Sequence, residues 1–142
     1  LRGRKQGRER IAGLRQEMNK TMEDGCGVYR RQESMQASVK KMAELKQRSA
    51  DLKLDDGSKV FNTEVIAALE LVNMIEVAES LAVSAAHRKE SRGAHTCRDF
   101  PGRDDTNYLY HTLCHRDPSG GAPRLGRKEV KLGHWVPEER KY

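Results

Sequence analysis

A dense group of charged residues between positions 88 and 105 is the part of the sequence best suited to binding chemistry. Basic and acidic side chains alternate there around Gly93 and Pro101-Gly102, which constrain the backbone in turns. One interpretation is a loop whose ion pairs satisfy one another. The other is a docking surface, on which planar guanidinium groups pair bidentately with carboxylates of a neighbouring domain. We call residues 88–105 the charged block; its ionic side chains are Arg88, Lys89, Glu90, Arg92, Arg98, Asp99, Arg103, Asp104 and Asp105.

Other site chemistries have weaker support. A structural zinc site usually takes closely spaced ligand pairs, and ligands three residues apart on an alternating strand, such as His111 and Cys114, would face opposite sides. Neither a G-x-G-x-x-G motif nor a P-loop is present, and no orienting carboxylate accompanies Ser84 or Ser91 as a nucleophile. We therefore predict no catalytic residue, no cofactor-binding residue and no metal ligand here. The zinc candidates considered are His95, Cys97, His111, Cys114 and His115.

Composition narrows the class of protein. The chain has 142 residues, of which 34% are charged and only 5% aromatic, which favours one helical domain over an all-β domain. No apolar run approaches the roughly 20 residues that a membrane-spanning helix needs. Three cysteines without C-x-x-C spacing indicate a reducing compartment and no disulfide framework. Because the first residue is Leu1, we expect the chain to begin inside a longer protein.

Most of the formal net charge of +6 comes from residues 1–15, which carry six basic residues against one glutamate. Such a run is typical of a solvated linker or helix start. The alternative is a free-standing module that binds nucleic acid through this arm by neutralising phosphates. The arm lacks interleaved aromatic residues and any recognised nucleic-acid motif, so we favour no nucleic-acid partner.

Apolar residues at steps of three and four predict helices over residues 8–23 and 31–48. The glycines after Asp24 should end the first helix, and Asn62 or Thr63 can cap a third that reaches residue 90. This third helix is apolar on nearly every side, so we expect other elements to cover it. The fold class predicted is mainly α, an antiparallel three-helix bundle.

Alternating polar and apolar residues after Gly93 predict two strands, over residues 108–114 and 129–135, that pair as a small C-terminal β-hairpin. The domain organisation predicted is one domain over residues 1–142. It comprises a basic lead-in at 1–7, the three-helix bundle at 8–91, and a charged loop with the β-hairpin tail at 92–142.

Several motifs resemble the C-terminal region of the flavoprotein subunit of succinate dehydrogenase and fumarate reductase. The strongest is ESRGAH followed by RDFPGRDD, within residues 90–105; related L-aspartate oxidases share a looser form. RQEMNKTM at 15–22, FNTE at 61–64 and PEERKY at 137–142 fit the same family. The resemblance covers about residues 8–142. It implies a spectrin-repeat-like three-helix bundle with a small β appendage.

The resemblance also implies that the parent subunit binds FAD, interconverts succinate and fumarate in the tricarboxylic acid cycle, and passes electrons to an iron–sulfur subunit. The family's flavin-binding, proton-shuttling and dicarboxylate-binding residues lie upstream of this region. We therefore expect this fragment alone to be inactive and to carry no FAD. We expect contacts to the upstream FAD-binding domain from Arg92, His95, Arg98, Asp99, Arg103 and Asp104.

Two further expectations concern assembly. The resemblance implies a cytoplasmic location, peripheral on the inner face of the cytoplasmic membrane through partner subunits and without direct membrane insertion. An apolar bundle face that upstream domains normally cover would be exposed in the isolated fragment, and a homodimer would cover it. The sequence does not assign roles to Cys26, Cys97 and Cys114.

Overall fold

A computed structural model describes residues 7–135 and 137–138. Three helices form an antiparallel bundle: α1 (Ile11–Cys26), α2 (Gln32–Arg48) and α3 (Thr63–His87), with a 3-10 turn at Ser49–Asp51. A short helix, α4 (Asp105–Tyr108), precedes the antiparallel pair β3 (Tyr110–His115) and β4 (Arg124–Glu129). Strands β1 (Tyr29–Arg30) and β2 (Thr96–Cys97) form a two-residue parallel pair. The predicted fold class, a three-helix bundle with a β-hairpin, is confirmed.

The predicted apolar stripes of α1 and α2 form the core with one side of α3. Leu14, Met42, Leu45, Leu71 and Ile75 are fully buried there. Leu52 and Leu54, from the connection between α2 and α3, pack into the same cluster. A second cluster at the other end of the bundle joins Met35 to the end of α3 and to the charged block; its members are Cys26, Met35, Ala82, Ala85, Ala86 and Cys97. The core therefore runs the length of the bundle and holds the charged block at one end.

Helix α1 does not stop before Gly25 as predicted, but continues to Cys26. Gly25 is buried against α2, and a Cβ atom on it would lie 1.9 Å from the Ser38 hydroxyl oxygen. Ser38 Oγ in turn donates to the Thr21 and Ser34 carbonyls. The glycine is therefore required for the close approach of two helices rather than for a turn.

Gly25→Ala should lower the free energy of unfolding by about 1–3 kcal/mol, because the added methyl group overlaps Ser38. Gly13→Ala is the matched control in the same helix, where nothing lies within 4 Å of the position that the added methyl group would take. It should raise stability by about 0.5–1 kcal/mol through helix propensity. Urea unfolding followed by circular dichroism measures both. Equal effects of the two substitutions would contradict the close-approach role of Gly25.

Helix α3 begins and ends for local reasons. The Asn62 side chain accepts a hydrogen bond from the Val65 N–H at 3.0 Å, which confirms the predicted cap. The helix ends at His87, three residues before the predicted end, because Arg88 adopts an extended conformation. Apolar residues on the outer side of α3, including Ile66 and Val77, are exposed among the described residues. Within the described residues, the other elements of this chain therefore cover one side of α3 and leave the opposite side open.

The hairpin forms earlier in the sequence than predicted. Tyr110 pairs with Glu129 and His115 pairs with Arg124, so the second strand covers Arg124–Glu129 rather than residues 129–135. The reason is the connection at residues 116–123, in which Gly120 has a positive φ of 82° and helps the chain to reverse well before residue 129. The far ends of the sequence, including the PEERKY motif beyond Glu138 and most of the basic lead-in, lie outside the described residues. In the described part of the chain, no helix has both the length and the hydrophobicity to span a membrane.

Candidate docking site

The charged block begins where α3 ends, and a buried carboxylate organises its first half. Glu90 is 0% exposed and accepts hydrogen bonds from two guanidinium groups. The Nη2 atoms of Arg88 and Arg92 lie 2.7 Å and 2.9 Å from its carboxylate oxygens. The Asp104 N–H donates to it at 3.0 Å. Burial alone would raise the pKa of Glu90, but the hydrogen bonds from Arg92, Asp104 and Arg88 together lower it, so the carboxylate remains charged at neutral pH.

A tight turn follows this cluster. Arg92 and His95 exchange backbone hydrogen bonds of 2.9 Å and 3.0 Å, with Gly93 between them at φ +57°. The Ser91 hydroxyl accepts from the Cys97 N–H at 2.9 Å and donates to the Phe100 carbonyl at 2.8 Å. These bonds fold residues 91–100 onto themselves. The Ser91 hydroxyl therefore has a structural role.

His95 connects the block to the turn between α1 and α2. Its Nδ1 lies 2.9 Å from Arg30 Nη1, and its Nε2 lies 3.4 Å from the Arg88 carbonyl. Because arginine only donates, Nδ1 must accept, which leaves the proton on Nε2 facing the carbonyl. Burial, followed by the positive charge of Arg30, lowers the pKa of His95. The site therefore holds a neutral imidazole.

Stability should fall as the pH is lowered through the range just below the ordinary histidine value of about 6.5. The pKa of His95 is lowered in the folded chain by burial and Arg30, and that of His87 by burial, Arg127 and Arg88. The unfolded chain therefore binds more protons in that range, so stability rises with pH there. The stabilisation from carboxylates with lowered pKa, such as Glu90, is lost only at lower pH, as the pH falls from about 4.5.

Urea unfolding at a series of pH values from about 5 to 7.5 tests this dependence. His95→Asn should reduce the slope of stability against pH, because an amide oxygen can still accept from Arg30 without titrating. His134→Asn is the control, since that side chain is exposed. A slope that His95→Asn leaves unchanged would contradict the proposed neutral state.

The structure brings the six predicted docking residues to one end of the bundle, where they have different surroundings. Arg92, His95 and Asp104 are half-buried. Arg92 pairs with Glu90 and Asp105, and Asp104 caps α4 by accepting from the Asn107 N–H at 2.9 Å. These three residues therefore hold the loop in place.

The other three predicted residues are exposed. The Arg98 guanidinium lies 5.1 Å from the centre of the Tyr29 ring. Asp99 accepts from the Gln32 N–H at 2.6 Å, at the start of α2. Arg103 pairs with Asp105 at 2.8 Å and donates to the Glu138 carbonyl. The side chains of Asp99 and Arg103 are 36% and 28% exposed.

The sequence analysis did not single out Glu90 as the centre of this cluster or Arg30 as a partner of His95. Glu90 carried a signal: Arg88, Glu90 and Arg92 are two residues apart, and this spacing places side chains on one side of an extended chain. Arg30 carried none, because it lies 65 residues from His95 in the sequence.

Arg88 also fixes the hairpin to the bundle. Its guanidinium lies 5.2 Å from the Tyr110 ring centre and donates to Thr112 Oγ1 at 2.9 Å. The Tyr110 hydroxyl lies 3.0 Å from His87 Nε2, at the end of α3. Arg127, from β4, lies over the opposite strand's Tyr110 ring at 4.5 Å. One arginine thus links α3, the charged block and β3.

The described residues support neither a metal site nor a nucleic-acid site. Within the described residues, no three His, Cys, Asp or Glu side chains are grouped as metal ligands would be. The basic residues of the N-terminal arm that the structure describes make ion pairs with acids of the same chain: Arg8 with Asp51, Arg10 with Asp55, and Arg15 with Glu70. These cations are thus partly neutralised within the bundle.

Comparisons with known proteins agree with the resemblance seen in the sequence. The family described as fumarate reductase flavoprotein C-term matches residues 15–142. The chain is 47% identical over 139 residues to the fumarate reductase flavoprotein subunit of Haemophilus influenzae, covering 98% of this chain. It is 46% identical over 132 residues, 93% of its length, to the succinate dehydrogenase flavoprotein subunit of Coxiella burnetii.

A solved quinol fumarate reductase variant from E. coli superposes with a TM-score of 0.90 over 95% of this chain, at 43% identity. The chain spans 23% of that protein and of the Haemophilus subunit, and 22% of the Coxiella subunit. None of these matches supports the nucleic-acid alternative. The chain belongs to the family of C-terminal domains found in the flavoprotein subunits of fumarate reductase and succinate dehydrogenase.

Proposed function

We propose that this chain is the C-terminal helical domain of an FAD-dependent subunit whose enzyme interconverts fumarate and succinate. The observation that carries this proposal is the family match over residues 15–142, together with the close superposition on a fumarate reductase. The chain spans less than a quarter of the length of these relatives. The chemistry of the enzyme is therefore assigned to the part of the polypeptide outside this chain.

The described residues do not fit FAD. A dinucleotide is usually held where a strand leads through a glycine-rich turn into the start of a helix. The helices described here instead follow Arg10, Arg31, Asn62 and Asp104. No residue of this chain is therefore given a role in flavin binding or in catalysis.

The role of the domain itself is to support the FAD-binding domain through the charged block. Arg98, Asp99 and Arg103 supply the exposed contacts, and Arg92, His95 and Asp104 hold the loop that presents them. Guanidinium groups suit this role because they bind carboxylates in a planar, two-pronged geometry. The loop is anchored to Glu90, α2 and β1, so it loses little conformational freedom on docking.

The wider assembly follows from the same assignment. The parent subunit passes electrons to an iron–sulfur subunit and lies on the inner face of the cytoplasmic membrane through partner subunits. The isolated chain, without its upstream domain, has apolar surface that a homodimer would cover.

The purified chain should be folded and colourless, and should show no succinate–dye reductase activity, because the flavin-binding residues lie elsewhere. Flavin absorbance that co-purifies with the chain would contradict this prediction. Docking is tested in a full-length subunit in which this chain replaces the matching segment of the Haemophilus subunit. Arg98→Glu with Arg103→Glu should reduce activity by about tenfold or more, since each 1.4 kcal/mol of lost docking energy corresponds to a factor of ten.

The matched control is Lys20→Glu with Lys40→Glu, which reverses two exposed charges on α1 and α2. The control should retain activity and flavin. If both double variants behave alike, the charged block is not the docking surface.

A further inference from the structure

A second surface along α3 lacks a partner in the described structure. Ile66, Leu69, Val77 and Leu81 are 56%, 50%, 68% and 45% exposed. They recur at helical spacing on the side of α3 opposite the buried Leu71 and Ile75. A contiguous apolar strip that a folded chain leaves in water typically marks an interface. One side of α3 packs on α1 and α2, which leaves the other to a further partner.

The same surface continues past the start of α3. Phe61 is 95% exposed, and Val60 is 71% exposed. Phe61 also has a positive φ of 53°, a conformation that costs an L-residue about 1–2 kcal/mol. An exposed aromatic ring in a strained conformation gains little from its own chain. Rings of this kind are typical anchors of interfaces, where they fill a pocket on the partner. We call Val60, Phe61, Ile66, Leu69, Val77 and Leu81 the outer face of α3.

We propose that the outer face of α3 is covered by the part of the polypeptide that precedes this chain in the full-length subunit. This proposal rests on the proposed function. The relatives carry more than three quarters of their length outside the segment matched by this chain, and the matching family is a C-terminal one. That preceding part is therefore large enough to cover the whole face.

The path of the chain brings the preceding part to this surface. The first described residues pair with the connection between α2 and α3: the Arg8 and Glu9 N–H groups both donate to the Asp51 carbonyl at 3.1 Å. This is the end of the bundle at which α3 begins. The charged block lies at the opposite end, about 37 Å away along a 25-residue helix. A partner that is connected at the first end and docks at the second runs along the bundle between them. Of the three described bundle helices, α3 is the one with exposed large apolar side chains, so we place the partner along α3.

Charge also favours this occupant over a second copy of the chain. From Thr63 to Ala86, α3 contains four glutamates and neither Lys nor Arg. Glu70 lies exposed beside the outer face. In a pair of copies packed through this face, each Glu70 would keep only its present partner, Arg15 at 3.9 Å, and would gain no cation from the α3 of the other copy. The preceding part of the chain should therefore present an apolar surface, a pocket for Phe61, and Lys or Arg opposite Glu70.

Cysteine accessibility tests the proposal in the same full-length subunit. Cys114→Ser removes the most accessible native thiol, since Cys26 and Cys97 are buried. Leu69→Cys and Val77→Cys probe the outer face, and Gln36→Cys is the control on the exposed side of α2. In the isolated chain, maleimide should label all three at similar rates. In the full-length subunit, labelling of the two α3 probes should slow by about tenfold or more, with the control unchanged.

Unchanged labelling of Leu69→Cys and Val77→Cys in the full-length subunit would overturn the proposal. So would protection in the full-length subunit that grows with protein concentration, because the occupant would then be a second copy. Arg98→Cys reports separately on the charged block. If it is protected while the α3 probes label freely, this inference fails and the proposed docking of the charged block stands.

Phe61→Gly tests the proposal independently, because it should shift the unfolding midpoint in opposite directions in the isolated chain and in the full-length subunit. In the isolated chain it should raise the unfolding midpoint, because glycine adopts a positive φ without strain. In the full-length subunit it should lower the midpoint, because the anchor is lost. A rise in both settings would show that the ring has no partner.

Discussion

Glu90→Gln is expected to destabilise the folded chain by about 3 kcal/mol, one of the two largest effects we predict. The substitution keeps the size of the side chain, removes its charge and replaces one accepting oxygen by an NH2 donor. Arg88 and Arg92 would then share a buried site without a carboxylate between them. Removing one member of a buried ion pair is costly because the remaining charge has already lost its water. The two guanidinium groups are partly exposed, so we place the cost at the lower end of the usual range.

The matched control is Glu23→Gln, an exposed glutamate on α1. It should change the free energy of unfolding by less than about 0.5 kcal/mol. Chemical denaturation of both variants measures the difference. Glu90→Gln should also loosen the hairpin, since Arg88 links Glu90 to β3, and hydrogen exchange at Tyr110–His115 would report this. A cost for Glu90→Gln that equals the control would show that the cluster contributes little to the fold.

Ile75→Ala is expected to cost about 2–5 kcal/mol, because it opens a cavity in the centre of the bundle. Ile75 is 0% exposed and packs in the cluster formed with Leu45 and Leu71. Val77→Ala, two residues along the same helix, is the control on the outer face. In the isolated chain it should change stability by less than about 0.5 kcal/mol, because Val77 is already in water.

Urea unfolding of the two variants measures how differently the two sides of α3 contribute. Similar costs in the isolated chain would mean that the outer face is covered there too, which would contradict the exposure of Val77. In the full-length subunit, Val77→Ala should become more costly than in the isolated chain. Such an increase would show, independently of the labelling experiment, that the outer face of α3 is covered in the full-length subunit.

The elements that the sequence predicted well depend on neighbouring residues. Apolar side chains every three or four residues place Leu14 and Met18 on one stripe, and Met35, Met42 and Leu45 on another, so the helices and their buried sides could be predicted. The Asn62 cap is also local, since its side chain bonds to a residue three positions away. The ESRGAH and RDFPGRDD motifs were sufficient to indicate the family, now supported by the match over residues 15–142.

The features that the sequence analysis predicted wrongly or did not predict concern contacts between distant segments. Gly25 suggested a turn in the sequence, but it allows α1 to approach Ser38 of α2. The pairing of β1 with β2 joins residues more than 60 positions apart, for which no local pattern exists. The second strand of the hairpin was predicted at the wrong place. Residues 129–135 alternate between polar and apolar side chains as a strand does, but the segment that pairs with β3 is Arg124–Glu129. Register depends on the turn and on the opposing strand.

The sequence alone determined three amphipathic or apolar helices, a small hairpin, a charged block at the end of α3, and the family. Each of these follows from the spacing of apolar residues or from a sequence motif, because interactions between residues close in the sequence determine local structure. Only the tertiary structure decided which side of α3 is buried and which remains open. It also decided that Glu90, rather than the six predicted residues, organises the charged block. The reason is that burial and ion pairing depend on which distant segments the folded chain brings together, and α3 is apolar enough for either side to have faced the core.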